Sequence, residues 1–197
     1  GFDGRWWDIM PVVSPDGVTG GHGVAFDITV ENITFDGLNR VSALTPLCFG
    51  HATHIQVIDC TFRNLHVWHL LELNAVSNAM IYNCTFDNYG NQGSAFTEAV
   101  QLDGAVDGGP FPWFGPYDHT ACDDIEFNSC RFTNIGGTCI GNHTFVEGMR
   151  PKNVKFVNNT IYKAGTVIAL SDIFGLYCYG NLSLIHISEP TRHSLNS

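Results

Sequence analysis

IQVIDCTFRNL, residues 55–65, recurs in four further versions along the chain. It aligns without gaps with ITVENITFDGL from Ile28, AMIYNCTFDNY from Ala79, IEFNSCRFTNI from Ile125 and VKFVNNTIYKA from Val154. Successive starts lie 27, 24, 46 and 29 residues apart, a period of one short coil with one long exception. Ile33, Cys60, Cys84, Cys130 and Asn159 share one column, and Phe35, Phe62, Phe86, Phe132 and Ile161 share the column two residues later. Two residues is the period of a strand, so both columns are expected to point inward, with Thr34, Thr61, Thr85, Arg131 and Thr160 facing out between them. A unit this short buries its apolar face only against its neighbours, which makes the chain an all-β solenoid with like side chains stacked on like.

A second strand per coil follows by counting back from each next repeat. It sets LCFGHA (47–52), LELNAV (71–76), VQLDGA (100–105), CIGNHT (139–144) and VIALSD (167–172) side by side. Val100 and Leu102 alternate with Gln101 and Asp103, so apolar side chains go to the core and polar ones are expected at solvent on a working face. That face would carry Glu72 beside Gln101, Asn74 beside Asp103 and His69 beside Glu98. The neighbour of Asp103 on the 139–144 strand is Gly141 or His143. The 46-residue spacing holds an insertion at about 104–123, rich in Gly and Pro and therefore a loop, with Phe111, Trp113, Phe114 and Tyr117 in it. Its aromatics either overhang the working face or cover the end of the core. GGHG at Gly20–Gly23 reads as a turn.

Composition narrows the partners. The chain has 197 residues, 44% hydrophobic and 14% charged, which suits one domain with a real core. Long helical patterns are absent. A formal charge of −10 with nine Lys plus Arg argues against nucleic acid and against an anionic membrane surface, since phosphate binding needs clustered cations. No apolar run approaches the ~20 residues of a membrane span. Seven cysteines cannot all pair within the chain, and no CxxC is present, so no metal and no cofactor are expected. The cysteines of the repeat are either small buried side chains in a ladder or, across adjacent coils, a stacked disulfide.

Repeats of this length, with Asn-rich turns and Cys and Phe ladders from about Gly20 to Asn181, resemble the right-handed parallel β-helix proteins of the pectin-lyase-like superfamily. The resemblance implies a right-handed parallel β-helix, here a fragment of about five to six coils in one domain over residues 1–181. EAVQLDGA, FPWFGPYD, CIGNHT and WHLLEL together resemble a recurring arrangement in secreted or cell-surface bacterial β-helix proteins that act on polysaccharides. That arrangement implies roles for Glu98, Gln101, Asp103, Asp118 and His143, with His69 and Glu72 alongside, and an extracellular or cell-surface location. The polygalacturonase RIK signature is missing. Pectate lyases, which share the fold, use an arginine base, and Arg40, Arg63, Arg131 and Arg150 all fall away from the working face. LSLIHISEPTR, from Leu182 to Arg192, resembles the translated reading frame of a sequencing adaptor, so residues 182–197 are expected to be a non-native tail.

Carboxylates on adjacent strands are what glycoside hydrolysis uses, one as acid and one as base or nucleophile. Asp103, Glu98, Asp118 and His143 are the catalytic candidates. Gln101, Glu72, His69, His119, Trp113, Phe114 and Tyr117 are the substrate-binding ones, the aromatics because their faces stack on sugar rings. Glu98 shares the parity of Val100 and Leu102, so it is either exposed by a bend or buried against His69. An acidic face repels uronate polymers, which favours neutral or amino-sugar glycans. The expected function is a glycoside hydrolase acting on such a polysaccharide. A lyase using His143 or His119 as base and a non-catalytic glycan-binding or adhesive surface remain alternatives.

Overall fold

The computed structural model describes residues 8–9, 20–23, 25–40, 45–90, 98–106, 116–142 and 146–184. The strands run β1 (Asp8–Ile9), then β2 (Ala25–Glu31), β3 (Thr34–Asp36) and β4 (Cys48–Gly50), then β5 (Ala52–Ile58), β6 (Thr61–Leu65) and β7 (Leu71–Asn74). They continue as β8 (Ser77–Tyr82), β9 (Thr85–Tyr89) and β10 (Glu98–Asp103), then β11 (Asp123–Asn128), β12 (Arg131–Gly141), β13 (Lys152–Val157), β14 (Thr160–Ala169), β15 (Phe174–Tyr179) and β16 (Leu182–Leu184). Among the described residues every strand pairing is parallel. One sheet stacks β2, β5, β8, β11, β13 and β15 in chain order. The other holds the remaining strands, with β12 joining the β3–β6–β9 row to the β1–β4–β7–β10 row. The chain is thus an all-β parallel solenoid whose successive turns add one strand to each row.

The repeat alignment is reproduced residue for residue: Ile28 pairs with Ile55, Ile55 with Ala79, Ala79 with Ile125 and Ile125 with Val154. Tight turns between the first two strands of each repeat explain the Asn and Asp content. Asn32, Asp59, Asn83, Ser129 and Asn158 hold φ between 51° and 58° at equivalent positions, and Gly180 holds 69°. Short polar side chains tolerate this left-handed region better than branched ones.

The two inward columns build the core. Phe35, Phe62, Phe86 and Phe132 stack at centroid separations of 4.8, 5.2 and 4.8 Å, with rings within 12° of parallel. In the neighbouring column the thiols of Cys60, Cys84 and Cys130 donate to the carbonyls of Val30, Val57 and Ile81 at 3.6, 3.4 and 3.3 Å. The amides of Asn159 and Asn181 donate to the carbonyls of Phe127 and Phe156 at 3.1 and 2.7 Å. All five acceptors belong to one column of the first sheet. Cys and Asn are therefore alternative answers to one need, a donor for a buried carbonyl beside each turn. Cys60, Cys84 and Cys130 are free thiols, as the ladder reading expected.

Three expectations need correction. Ile33 is 43% exposed, because its column begins there and no described residue covers it. The 139–144 and 167–172 strands sit one residue away from the alignment by counting: Val100 pairs with Ile140, and Ile140 with Ile168. The 139–144 and 167–172 strands keep their alignment with each other, and an irregularity between Ile135 and Thr138 lies earlier in the β12–β14 pairing. The polar side of β10 is not at solvent: Gln101 and Asp103 are 0% and 1% exposed. Leu182–Leu184, at the start of the expected tail, extends the second sheet against β14, and residues 185–197 lie outside the described residues.

Candidate functional site

β4, β7 and β10 present one row of polar side chains on the side of the sheet away from the core. Cys48 stands beside Glu72 and Glu72 beside Gln101, while Gly50, Asn74 and Asp103 form the next column. The row is knitted together sideways. Gln101 Nε2 donates to Asp103 Oδ2 at 2.5 Å, Asn74 Nδ2 donates to Glu72 Oε1 at 3.0 Å, and Thr45 Oγ1 donates to Glu72 Oε2 at 3.4 Å. Thr45 Oγ1 in turn accepts the His69 N–H at 3.3 Å. Gly141, one of the two candidate neighbours of Asp103, pairs instead with Gln101.

Glu98 is buried at 3% exposure, with His69 Nδ1 donating to its carbonyl oxygen at 2.7 Å and standing 4.0 Å from Oε2. This is the buried alternative, although the closer contact is to the backbone. Its side chain leans across the next turn: a Cβ on Gly141 would stand 2.7 Å from Glu98 Cγ. Gly141 shares the side of the sheet that carries Gln101, so Glu98 joins Glu72 and Asp103 along the outward row despite its parity. The neighbouring Tyr89 hydroxyl is pushed up by burial and further by the Glu98 charge.

Two segments meet beside this row. The turn at Gly20–Gly23 and residues 116–121, the exit of the insertion, meet above His51, which follows β4 directly and is 3% exposed. His51 Nδ1 lies 2.8 Å from Gly21 O, and Nε2 lies 2.8 Å from Pro116 O. Asp118 Oδ2 accepts the Gly21 N–H at 2.7 Å, and Oδ1 accepts the Thr120 N–H at 3.0 Å. His22 Nε2 donates to Ala121 O at 2.7 Å. Burial pushes the Asp118 carboxyl up, but the Gly21 N–H, the Thr120 hydroxyl and N–H, and the nearby His51 outweigh it and hold the group below the ordinary carboxylate range. Gly20 leaves room for this knot, since a Cβ there would collide with the Asp118 carboxylate. Beneath, Cys122 donates its thiol to the carbonyls of Leu73 and Asp103 at 3.3 and 3.2 Å, and burial pushes that thiol up to about 12.

Glu72, Gln101, Asp103, Glu98 and His69 are therefore gathered in one buried row, while the Asp118 carboxylate is engaged in tying the two segments together. His119 is exposed and donates its backbone N–H to Ala105 O at 3.0 Å, and Tyr117 is half-buried. His143, Trp113 and Phe114 lie outside the described residues. Thr45 and His51 were missed as members of the site. His51 lay within an aligned strand, and its position one residue past the polar row was the available signal. Among the described residues no group of three His, Cys, Asp or Glu is placed to hold a metal ion, and no helix is long and apolar enough to cross a membrane.

The fold and the buried acidic row define a parallel β-solenoid with a polar site on one sheet. No family model matches the chain, and no curated protein matches it. Among solved structures it is similar to PfbA, a surface adhesin of Streptococcus pneumoniae, with a TM-score of 0.65 and 14% sequence identity over 87% of this chain and 44% of that one. The likeness is one of fold, and the chain spans less than half the length of that adhesin.

Proposed function

We propose that this solenoid engages a neutral or amino-sugar polysaccharide at an extracellular or cell-surface location, as a binding or adhesive surface rather than a hydrolase. One observation carries the choice: Asp103 and Glu98, the carboxylates that would flank a glycosidic bond, are 1% and 3% exposed, and Asp103 is hydrogen-bonded to the Gln101 amide two residues away on its own strand. A general acid and its partner must touch the bond they cleave. Carboxylates buried in this way do structural work instead. The resemblance of fold to a surface adhesin supports a displayed, non-catalytic role, and the formal charge of −10 disfavours anionic polymers.

Hydrolysis is the second reading, favoured by the Glu98 side chain that Gly141 admits to the same side of the sheet as Glu72 and Asp103. A panel of neutral and amino-sugar polysaccharides separates the two when binding and reducing-end release are measured on the same samples. Binding without release, unchanged in Asp103→Asn, is the expected result. Release of reducing ends that Asp103→Asn abolishes would overturn the binding reading.

A further inference from the structure

His51 faces two backbone carbonyls, and a carbonyl can only accept. With Gly21 O 2.8 Å from Nδ1 and Pro116 O 2.8 Å from Nε2, both ring nitrogens must donate. A neutral imidazole has one N–H and one lone pair, so one of the two contacts would set a lone pair against an oxygen. The arrangement is complete for the imidazolium alone. Its surroundings suit a cation: Asp118 stands on the segment above, and Glu72 and Asp103 lie on the neighbouring strands β7 and β10. The other titratable groups on the described elements around it are His22 on the turn, Tyr117 and His119 on the 116–121 segment, Cys48 on its own strand and Asp8 on β1, which pairs with that strand. Each segment that His51 grips is also tied to the other, through Gly21 N–H to Asp118 at 2.7 Å and His22 to Ala121 O at 2.7 Å.

We propose that His51 is a proton-operated clasp, which in its doubly protonated form holds the 20–22 turn and the 116–121 segment together beside the Glu72–Asp103 row and on losing a proton lets them part. The closed form carries one more proton at His51 than the open form, so raising the pH favours opening. At the acid end the clasp requires Asp118 as carboxylate, since protonation weakens its hold on the Gly21 N–H. The two segments are therefore held together in mild acid and part as the pH rises. This stands whether the row binds or cleaves a glycan, because it concerns the segments beside the row.

The test is made on the intact chain. Hydrogen exchange of the Gly21, Ala105 and His119 amides, corrected for the intrinsic rate, is followed from about pH 5 to about pH 8, where imidazole changes charge. Protection of these amides is expected to fall by roughly tenfold or more across that range, the scale of one charge-assisted hydrogen bond. Phe86 in the core serves as an unmoved reference. Nitrogen-15 shifts of the His51 ring are expected to report two protonated nitrogens while these amides are protected. In His51→Gln the pH dependence should vanish. A neutral ring beside protected amides, or protection that ignores pH in the unsubstituted protein, would overturn the clasp even if the variant does not fold.

Discussion

Asn159 offers the sharpest test of how the coils are held together. It is 1% exposed and serves two buried backbone groups of the preceding turn: Oδ1 accepts the Cys130 N–H at 2.8 Å, and Nδ2 donates to Phe127 O at 3.1 Å. Asn159→Ala removes both partners from sites that water does not reach. Each orphaned group costs about 1–3 kcal/mol, so the variant should lose about 2–6 kcal/mol. Asn159→Cys is the informative comparison, because Cys130 occupies the equivalent position one turn earlier and its thiol donates to Ile81 O at 3.3 Å. A thiol at 159 restores the bond to Phe127 O and leaves the Cys130 N–H poorly served, for a loss of about 1–3 kcal/mol. Urea unfolding read by circular dichroism measures both, with an unchanged slope as the condition for comparing midpoints. The order should be wild type, Cys, Ala. If Cys and Ala were equally destabilised, the claim that Cys and Asn are interchangeable donors in this ladder would be refuted.

Three further outcomes follow from the geometry. Gly141→Ala sets a Cβ 2.7 Å from Glu98 Cγ and 2.8 Å from Ala169 O, and a packed site that cannot yield should lose about 1–3 kcal/mol in thermal unfolding; an unchanged midpoint would show that Glu98 moves aside freely. The Asp118 carboxyl is held below its unfolded value, so it supports the contact between the two segments above the unfolded pKa and loses that role as the pH falls through the folded one. Asp118→Asn should therefore raise exchange at Gly21 near neutral pH and match wild type in strong acid, and a difference that persisted in strong acid would exclude the carboxylate as the cause. Of the seven cysteines six are buried and Cys178 is exposed, so a thiol reagent should modify one thiol rapidly in the native protein and seven after denaturation. Rapid modification of several native thiols would mean that the ladder opens.

Most of the solenoid could be read from the sequence, because the coil leaves little choice about where a side chain points. A two-residue strand period and a repeat of 24 to 29 residues place Phe62 on Phe86 and Cys60 beneath Cys84 with no knowledge of the turns. The readings that failed are those in which position depends on something other than period. Counting set Val100 beside Cys139 rather than Ile140 because the connections that follow β10 and β12 differ in length, so there is no common distance to count back from the next repeat. Ile33 follows the same column as Cys60, yet a column needs a neighbour on each side, and among the described residues Ile33 has one on one side only.

The polar row shows the same limit in its strongest form. Alternation put Gln101 and Asp103 on the side of β10 away from the core, which is where they are. Alternation cannot say what lies on top, and the segments beside the row never enter a strand row: Gly21 and Pro116 reach His51 from 30 and 65 positions away in the sequence. Such contacts rest on single hydrogen bonds between loops, and each of them requires a particular atom rather than a class of side chain. Burial of Glu72 and Asp103 is consequently the property of the site least supported by the repeat. Any perturbation that exposes the acidic row should leave the Phe and Cys ladders intact. Loss of the ladders together with the burial of the row would mean that the two are one cooperative unit, and that the row is part of the core rather than a site laid upon it.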